Sequence, residues 1–490
     1  MKALKLTVLP AVVLMASCTM IPRYQRPDSS VATQYSTPAR IEPVTLAAEI
    51  GWRDFYKDPR LQQLISLALD NNRDLRVAIL NIEEARAQYR IQRADLLPSL
   101  SASASGSVQR LPAEVSTTGQ AGVFRDYSVG AVASYELDLF GRVRSLNEEA
   151  LHTFLASTEA RKATQISLIA EVANAWLTLQ ADLELKQLTA DTLANQQASL
   201  KIVSSGFRYG TSSALDLRQA ETSVRAAEAN LAQYDRQVKQ DINALTLLVG
   251  TPPGAALLTP ESLAEVTLDE DLPSGLPSDL LIRRPDIVAA ERRLMAANAN
   301  IGAARAAFFP RITLTASGGT ATATLHGLFD AGSAAWSFGP SVSVPIFDYG
   351  RNSANLAVAK VDRDIAVATY QKAIQTAFRE VSDALDGRAT WGQQELAQSQ
   401  LVDATASAYR LSSERYLQGV DGYLNVLVNQ RSLYDAQQNL IKVQLARVSN
   451  TVDLYRALGG GWNEGTAKDP EQTGPVLGQG GEKGANERLN

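Results

Sequence analysis

The chain has 490 residues, 20% of them charged, with a net charge of −5 and a pI near 5.4. An acidic balance of this kind excludes the basic footprint of a nucleic-acid-binding protein. Two histidines and one cysteine leave little material for a metal centre or thiol chemistry.

Residues 1–17 read as a secretory signal, with Lys2 and Lys5 as its charged end and Leu6 to Met15 as its apolar stretch. Met15-Ala16-Ser17-Cys18 is similar to a bacterial lipobox, with Leu14 one place early. Cleavage after Ser17 makes Cys18 an acylated first residue, and each acyl chain adds about 0.8 kcal/mol of membrane affinity per buried methylene. An ordinary signal peptide with an incidental cysteine is the alternative. Thr19, not an aspartate, follows, which points to the outer membrane. No later stretch is apolar for long enough to be a transmembrane helix. Residues 18–60 are expected to form an acylated arm, extended over the Pro-, Ser- and Thr-rich stretch 21–55.

A helix is expected over 61–97, stopped by Pro98. Strict period-two alternation follows. Ser99, Ser101, Ser103, Ser105 and Ser107 alternate with Leu100, Ala102, Ala104, Gly106 and Val108, predicting a strand over about 99–110. A second strand, about 126–140, sets Tyr127, Val129, Ala131, Ala133 and Tyr135 against Ser128, Ser134, Glu136 and Asp138. Residues 142–205 lack proline and predict one helix of roughly 95 Å at 1.5 Å per residue. Within 213–249, Leu217, Ala220, Val224, Ala227, Leu231, Tyr234, Val238, Asp241 and Leu245 keep a heptad spacing. The span 142–249 is thus a coiled-coil hairpin, and 251–279 is a Pro- and acid-rich linker.

The second half repeats the first. Asp74 and Ala94…Pro98 recur 212 residues later as Asp286 and Ala306…Pro310. Gly141-Arg142 recurs 209 residues later as Gly350-Arg351, and Leu245…Gly250 as Leu454…Gly459. The chain is a tandem duplication of a unit of about 210 residues. The first repeat spans 61–250 and the second 280–460, with strands at about 311–325 and 335–347 and a hairpin over 351–458. The Gly-rich, polar tail 461–490 reads as flexible.

Strands of this length, apolar on one face and polar on the other, suit an outer-membrane barrel. Two hairpins of a soluble sheet would alternate in the same way. Four strands cannot close a barrel, and an open edge in lipid leaves backbone groups unpaired. The membrane reading therefore needs several chains: three supply twelve strands and two supply eight. The short helices of each repeat, laid end to end, nearly equal its long helix, which suits a tube standing across a compartment. A coiled-coil rod without a lumen is the alternative.

Together these residues resemble the TolC/OprM family, the outer-membrane channels of tripartite efflux pumps. The matching segments are Tyr135-Glu136-Leu137-Asp138-Leu139-Phe140-Gly141-Arg142, Arg283-Arg284-Pro285-Asp286-Ile287, Asn300-Ile301-Gly302-Ala303-Ala304-Arg305, and Tyr455-Arg456-Ala457-Leu458-Gly459-Gly460-Gly461-Trp462. The resemblance is closest to the lipoprotein branch that serves resistance–nodulation–division pumps. It implies an α+β membrane protein with a tandem-duplicated TolC-like fold. In that fold a homotrimer forms a twelve-stranded β-barrel, four strands per chain, continued by a long periplasmic α-helical barrel. It implies a periplasmic adaptor, an inner-membrane transporter and outer-membrane lipid as partners, and no cofactor, metal or enzymatic activity.

The resemblance also implies a gate at the turns Ser204–Ala214 and Ser413–Tyr423. Asp216 and Tyr416 match the positions of a hydrogen-bonded tether. Asp421 stands where the family places a tethering arginine, so that tether is absent or rebuilt. Leu424 matches an aperture-closing leucine, while Asn425 and Val428 stand at the places of two aspartate rings. A divalent-cation block is thereby put in doubt, and three Val428 side chains would seal by dewetting. Ordinary seam packing is the other reading of Leu424 and Val428. Gly210, Thr211, Gly419 and Val420 are the turn residues implied to meet the adaptor.

No HExxH, Walker loop, GxSxG or CxxC motif is present, and His152 and His326 are far apart in the chain. The leading reading is a passive exit duct for antibiotics and other toxic small molecules. The competing readings are a structural lipoprotein rod, an enzyme on a helical stalk, and a same-fold channel for heavy metals or secreted protein.

Overall fold

The computed structural model describes residues 19–28, 31–32, 34–35, 46–116, 119–269, 272, 280 and 282–466. Cys18 and the tail beyond 466 lie outside the described residues. The chain divides into two compact units that cut across the repeats: one holds 71–167 and 276–382 with the N-terminal segment, the other 37–70, 168–275 and 383–490.

The first unit holds four strands, β1 (Ser99–Leu111), β2 (Gly122–Leu137), β3 (Arg311–Thr322) and β4 (Ala334–Ser343). They form one antiparallel sheet in the order β1-β2-β3-β4, so the hairpin of one repeat pairs with the hairpin of the other. Register puts Ala131 opposite Ala102 and Gly318, and Gly318 opposite Trp336. Most apolar residues of the four strands therefore share one face, with Phe124 and Val132 as exceptions on the other. The serines and threonines share the other, where Ser105 meets Ser128 at 2.8 Å and Ser317 meets Ser337 at 2.7 Å between hydroxyls. At the β2–β3 crossing, Gly130 faces Gly319, and a Cβ on Gly319 would overlap the Val129 carbonyl. Only glycine fits so close a backbone approach.

The second strand ends at Leu137, earlier than the 140 that alternation suggests. Asp138 leaves the ladder to accept the Arg144 amide at 2.8 Å at the start of α4 (Arg142–Arg208), and Glu136 takes two hydrogen bonds from Arg142. Likewise β3 and β4 stop short of 325 and 347. The helix expected over 61–97 is two helices, α2 (Pro59–Asn71) and α3 (Arg73–Ala94), which follow a single turn α1 (Trp52–Phe55). The break comes at Asn72, which is buried in extended geometry and caps α3 by accepting the Leu75 amide at 2.9 Å.

The N-terminal segment runs along α6 (Pro285–Ala306) from its end toward its middle. Arg305 donates to the Met20 carbonyl, Asn298 to that of Pro22 at 2.8 Å, and Tyr24 and Arg26 both donate to the buried Glu291. Gly302 lies so close to Ile21 that a Cβ there would collide with it.

In the second unit the expected extended arm is corrected: Trp52, Phe55 and Tyr56 are buried, and Phe55 stacks on Tyr455 at 3.9 Å. The tail is corrected too, because 461–466 is docked. Trp52 and Arg53 donate backbone bonds to Asn463 and Glu464 at 2.9 and 3.1 Å, and Thr466 bonds Asp54. The hairpins are α4 with α5 (Ala214–Val249) and α7 (Arg351–Leu417) with α8 (Tyr423–Ala457). Each long helix has 67 residues. In this unit the heptad apolar residues Ala220, Val224, Ala227, Val238 and Leu245 of α5 are buried. Lys186 and Asp235 pair across the first hairpin at 2.7 Å, Glu395 and Arg447 across the second at 2.7 Å. No helix among the described residues is long and apolar enough to cross a membrane.

Candidate functional site at the two helix turns

Both turns in the second unit are built alike. Gly210 and Gly419 are left-handed, with φ of 80° and 72°. Gly210 donates to Phe207 at 3.2 Å and Thr211 to Gly206 at 2.8 Å; Gly419 donates to Tyr416 and Val420 to Arg415, both at 2.9 Å. This is the Schellman pattern, which satisfies the last carbonyls of a helix and reverses the chain. It leaves Thr211 and Val420 exposed at the tips. The first long helix continues through Gly206 to Arg208, beyond the end read from sequence.

The two turns are fastened differently. In the first, Ser213 accepts the Asp216 amide at 3.1 Å, and Asp216 accepts the Ser213 amide and hydroxyl at 3.0 and 2.7 Å. This reciprocal capping box occupies the carboxylate. Among the described residues Asp216 makes no hydrogen bond to Tyr416, so the expected tether is corrected: a donor three residues away in the same turn outcompetes one on another helix. In the second turn the cap is Gly422, with no side chain to serve. Arg415 instead grips Asp421 through two bonds, of 2.6 and 3.1 Å. Hydrogen bonding to Arg415 holds the Asp421 carboxyl below its usual range. The pair closes the second turn within one chain.

Tyr416 packs instead on Tyr423, with ring centres 5.5 Å apart. Tyr423 belongs to a buried cluster with Val203, Ala220, Val426 and Leu427, flanked by Tyr409 and Tyr416. Burial first, then the neighbouring Tyr416, Tyr409 and Asp216, pushes the Tyr423 hydroxyl up to about 12. Sequence reasoning missed Arg415 and Tyr423. An arginine and an aspartate six apart around a glycine turn were the available signal.

The cluster separates two faces of α8. Tyr423, Val426 and Leu427 face the other helices, whereas Leu424 and Val428 are 53% and 52% exposed and Asn425 is exposed beside them. Leu424 and Val428, four apart, share the outward face. Within this chain neither packs into the seam of its own hairpin.

A sheet with one apolar and one hydroxyl-lined face and duplicated helical hairpins define an outer-membrane efflux channel. The chain belongs to the outer membrane efflux protein family, whose model matches residues 64–251 and 276–460, one stretch per repeat. It is similar to the antibiotic efflux pump outer membrane protein ArpC of Pseudomonas putida, 50% identical over 464 residues, covering 94% of this chain and 96% of that one. The solvent efflux pump outer membrane protein SrpC of the same species is 48% identical over 458 residues, covering 92% and 97%. The open-state MtrE channel of Neisseria gonorrhoeae superposes with a TM-score of 0.81 at 41% identity, covering 92% of this chain and all of that structure.

Proposed function

We propose that the chain is the passive exit duct of a tripartite pump, assembled as a homotrimer and coupled through a periplasmic adaptor to an inner-membrane transporter. The four-stranded sheet carries this reading. Its edges, β1 and β4, have no further strand partner among the described residues, while its apolar face suits lipid and its hydroxyl face suits water. Three copies close a barrel of twelve strands. The helices then extend into the periplasm, with Gly210, Thr211, Gly419 and Val420 at the tips that meet the adaptor. Cys18 anchors the mature chain by its acyl groups, and mass spectrometry of the mature N-terminus tests this: an unmodified start at another residue refutes it.

The gate is the set of turns. Three Leu424 and three Val428 side chains exclude water from the narrowest section by dewetting. Asn425 places no charge there. The relatives' names, antibiotic and solvent efflux, support antibiotics and other toxic small molecules as cargo. Planar-bilayer conductance of the purified protein, together with cross-linking, is the test. A discrete conductance carried by a three-chain species is expected; a monodisperse dimer or a non-conducting rod overturns the proposal.

A further inference from the structure

The apolar face of the sheet carries two arginines at its loop end. Arg110 lies opposite Val123, and Arg125 opposite Val108, so both point to the side that bears Tyr127, Val129, Ala131 and Tyr135. Both are exposed. They are diagonal neighbours across β1 and β2, with Cβ atoms about 7–8 Å apart. Among the described residues neither forms an ion pair. Asp126 alternates to the opposite face, and Glu114 lies in the connecting loop. Two unpaired like charges this close are unfavourable unless an anion joins them.

Their height matters. Arg125 stands twelve residues beyond Leu137, the last residue of β2 at the helix end. At about 3.4 Å per residue and a tilt near 40° this is about 30 Å, just beyond an apolar band of about 25 Å. If the band starts at the helix end of the sheet, the guanidiniums stand at its far edge, on the apolar face. The other hairpin has Thr320, Thr322 and Ala334 on that face at its loop end, with no charge. The feature occurs once per chain.

We propose that Arg110 and Arg125 form a binding site for the phosphate groups of the outer-leaflet glycolipid, lipopolysaccharide. The planar forks of two arginines match phosphate oxygens by paired hydrogen bonds. The site lies where the phosphates of that leaflet lie, while its acyl chains cover Val129 and Ala131 below. This assignment rests on the reading that the apolar face meets lipid and the hairpin loops face outward.

The test is native mass spectrometry of the full-length protein with bisphosphorylated lipid A, dephosphorylated lipid A and phosphatidylglycerol. Arg110→Ser with Arg125→Ser is expected to lower the affinity for bisphosphorylated lipid A about tenfold, as loss of charge-assisted hydrogen bonds does. Arg110→Lys with Arg125→Lys is expected to lose about threefold or less, by keeping charge without the fork. Parent protein binding dephosphorylated lipid A or phosphatidylglycerol as tightly, or an unaffected serine variant, overturns the proposal. Competition by millimolar inorganic phosphate makes the site one for free anions and also overturns it. If the double serine variant does not assemble, the lysine pair and Arg125→Gln carry the comparison. Bilayer conductance of the same parent sample separates the two readings: a conducting channel without lipid A selectivity refutes only the site, and a silent one refutes the channel.

Discussion

Asp182 and Asp241 lie side by side between α4 and α5, close enough for their carboxyls to interact. Asp241 occupies a seam position of the heptad, and its buried Oδ2 has no N–H or hydroxyl donor among the described residues. A proton on Asp182 directed at this oxygen would fill that gap. Burial first, then the hydrogen bond and charge of Asp241, raises Asp182 from 3.8 to about 7. Nearby charges are engaged elsewhere: Lys186 and Lys239 hold Asp235, and Glu184 accepts the Leu263 amide. On α8, Arg447 pairs with Glu395 and Lys442 is exposed, while Tyr434 bonds Thr189. Because the folded value lies above the unfolded one, the contribution is fully present below about pH 4 and is lost as the pH rises through about 7. Three pKa units convert to about 4 kcal/mol, but Asp182 is only half-buried, and screening leaves about 1–2 kcal/mol. Hydrogen exchange, corrected for its intrinsic pH dependence, should show the α4–α5 segment around these residues opening about tenfold more at pH 8 than at pH 5. The second repeat supplies an internal control, since its counterparts, 209 residues on, are Trp391 and Asn450, with Asn450 donating to Ala384. Asp241→Asn should reduce the difference, leaving the part that burial of Asp182 causes. Equal pH dependence in both hairpins, or an unchanged dependence in the variant, would refute the shared proton.

Leu424→Ala with Val428→Ala should raise basal single-channel conductance, and Val428→Asp should make conductance sensitive to divalent ions; parent-like traces from both would place the gate elsewhere. Arg415→Ala should loosen only the second turn, raising its exchange and making conductance less dependent on salt, because the Arg415–Asp421 pair is exposed and screened. Exchange unchanged at 413–423 would show the clasp to be idle. Gly319→Val should disrupt the β2–β3 pairing, read as loss of the cross-linked three-chain species, whereas Gly318→Ala in the same strand, with open space where its Cβ would stand, should leave it intact.

Much of the architecture is written locally. Period-two alternation over 99–110 names a strand and its two faces whatever it packs against, because successive side chains leave a strand on opposite sides. The duplication names the second hairpin from the first, and Gly210 and Gly419 name the turns because a left-handed helix end selects glycine. Other features depend on partners distant in sequence. The docking of 461–466 exists only because Trp52 and Arg53 offer backbone donors more than 400 residues away. The break at Asn72 follows from burial of that side chain, which no local pattern announces. At the gate, sequence supplied Asp216, Tyr416, Leu424 and Val428 as candidates. The tertiary structure decided that Asp216 caps its own helix, that Arg415 rather than Tyr416 holds the second turn, and that Leu424 and Val428 face outward. The reason is physical: a polar group takes the nearest donor of good geometry, and a helix face is buried or exposed by its neighbours, so both depend on positions in space that a linear pattern does not encode.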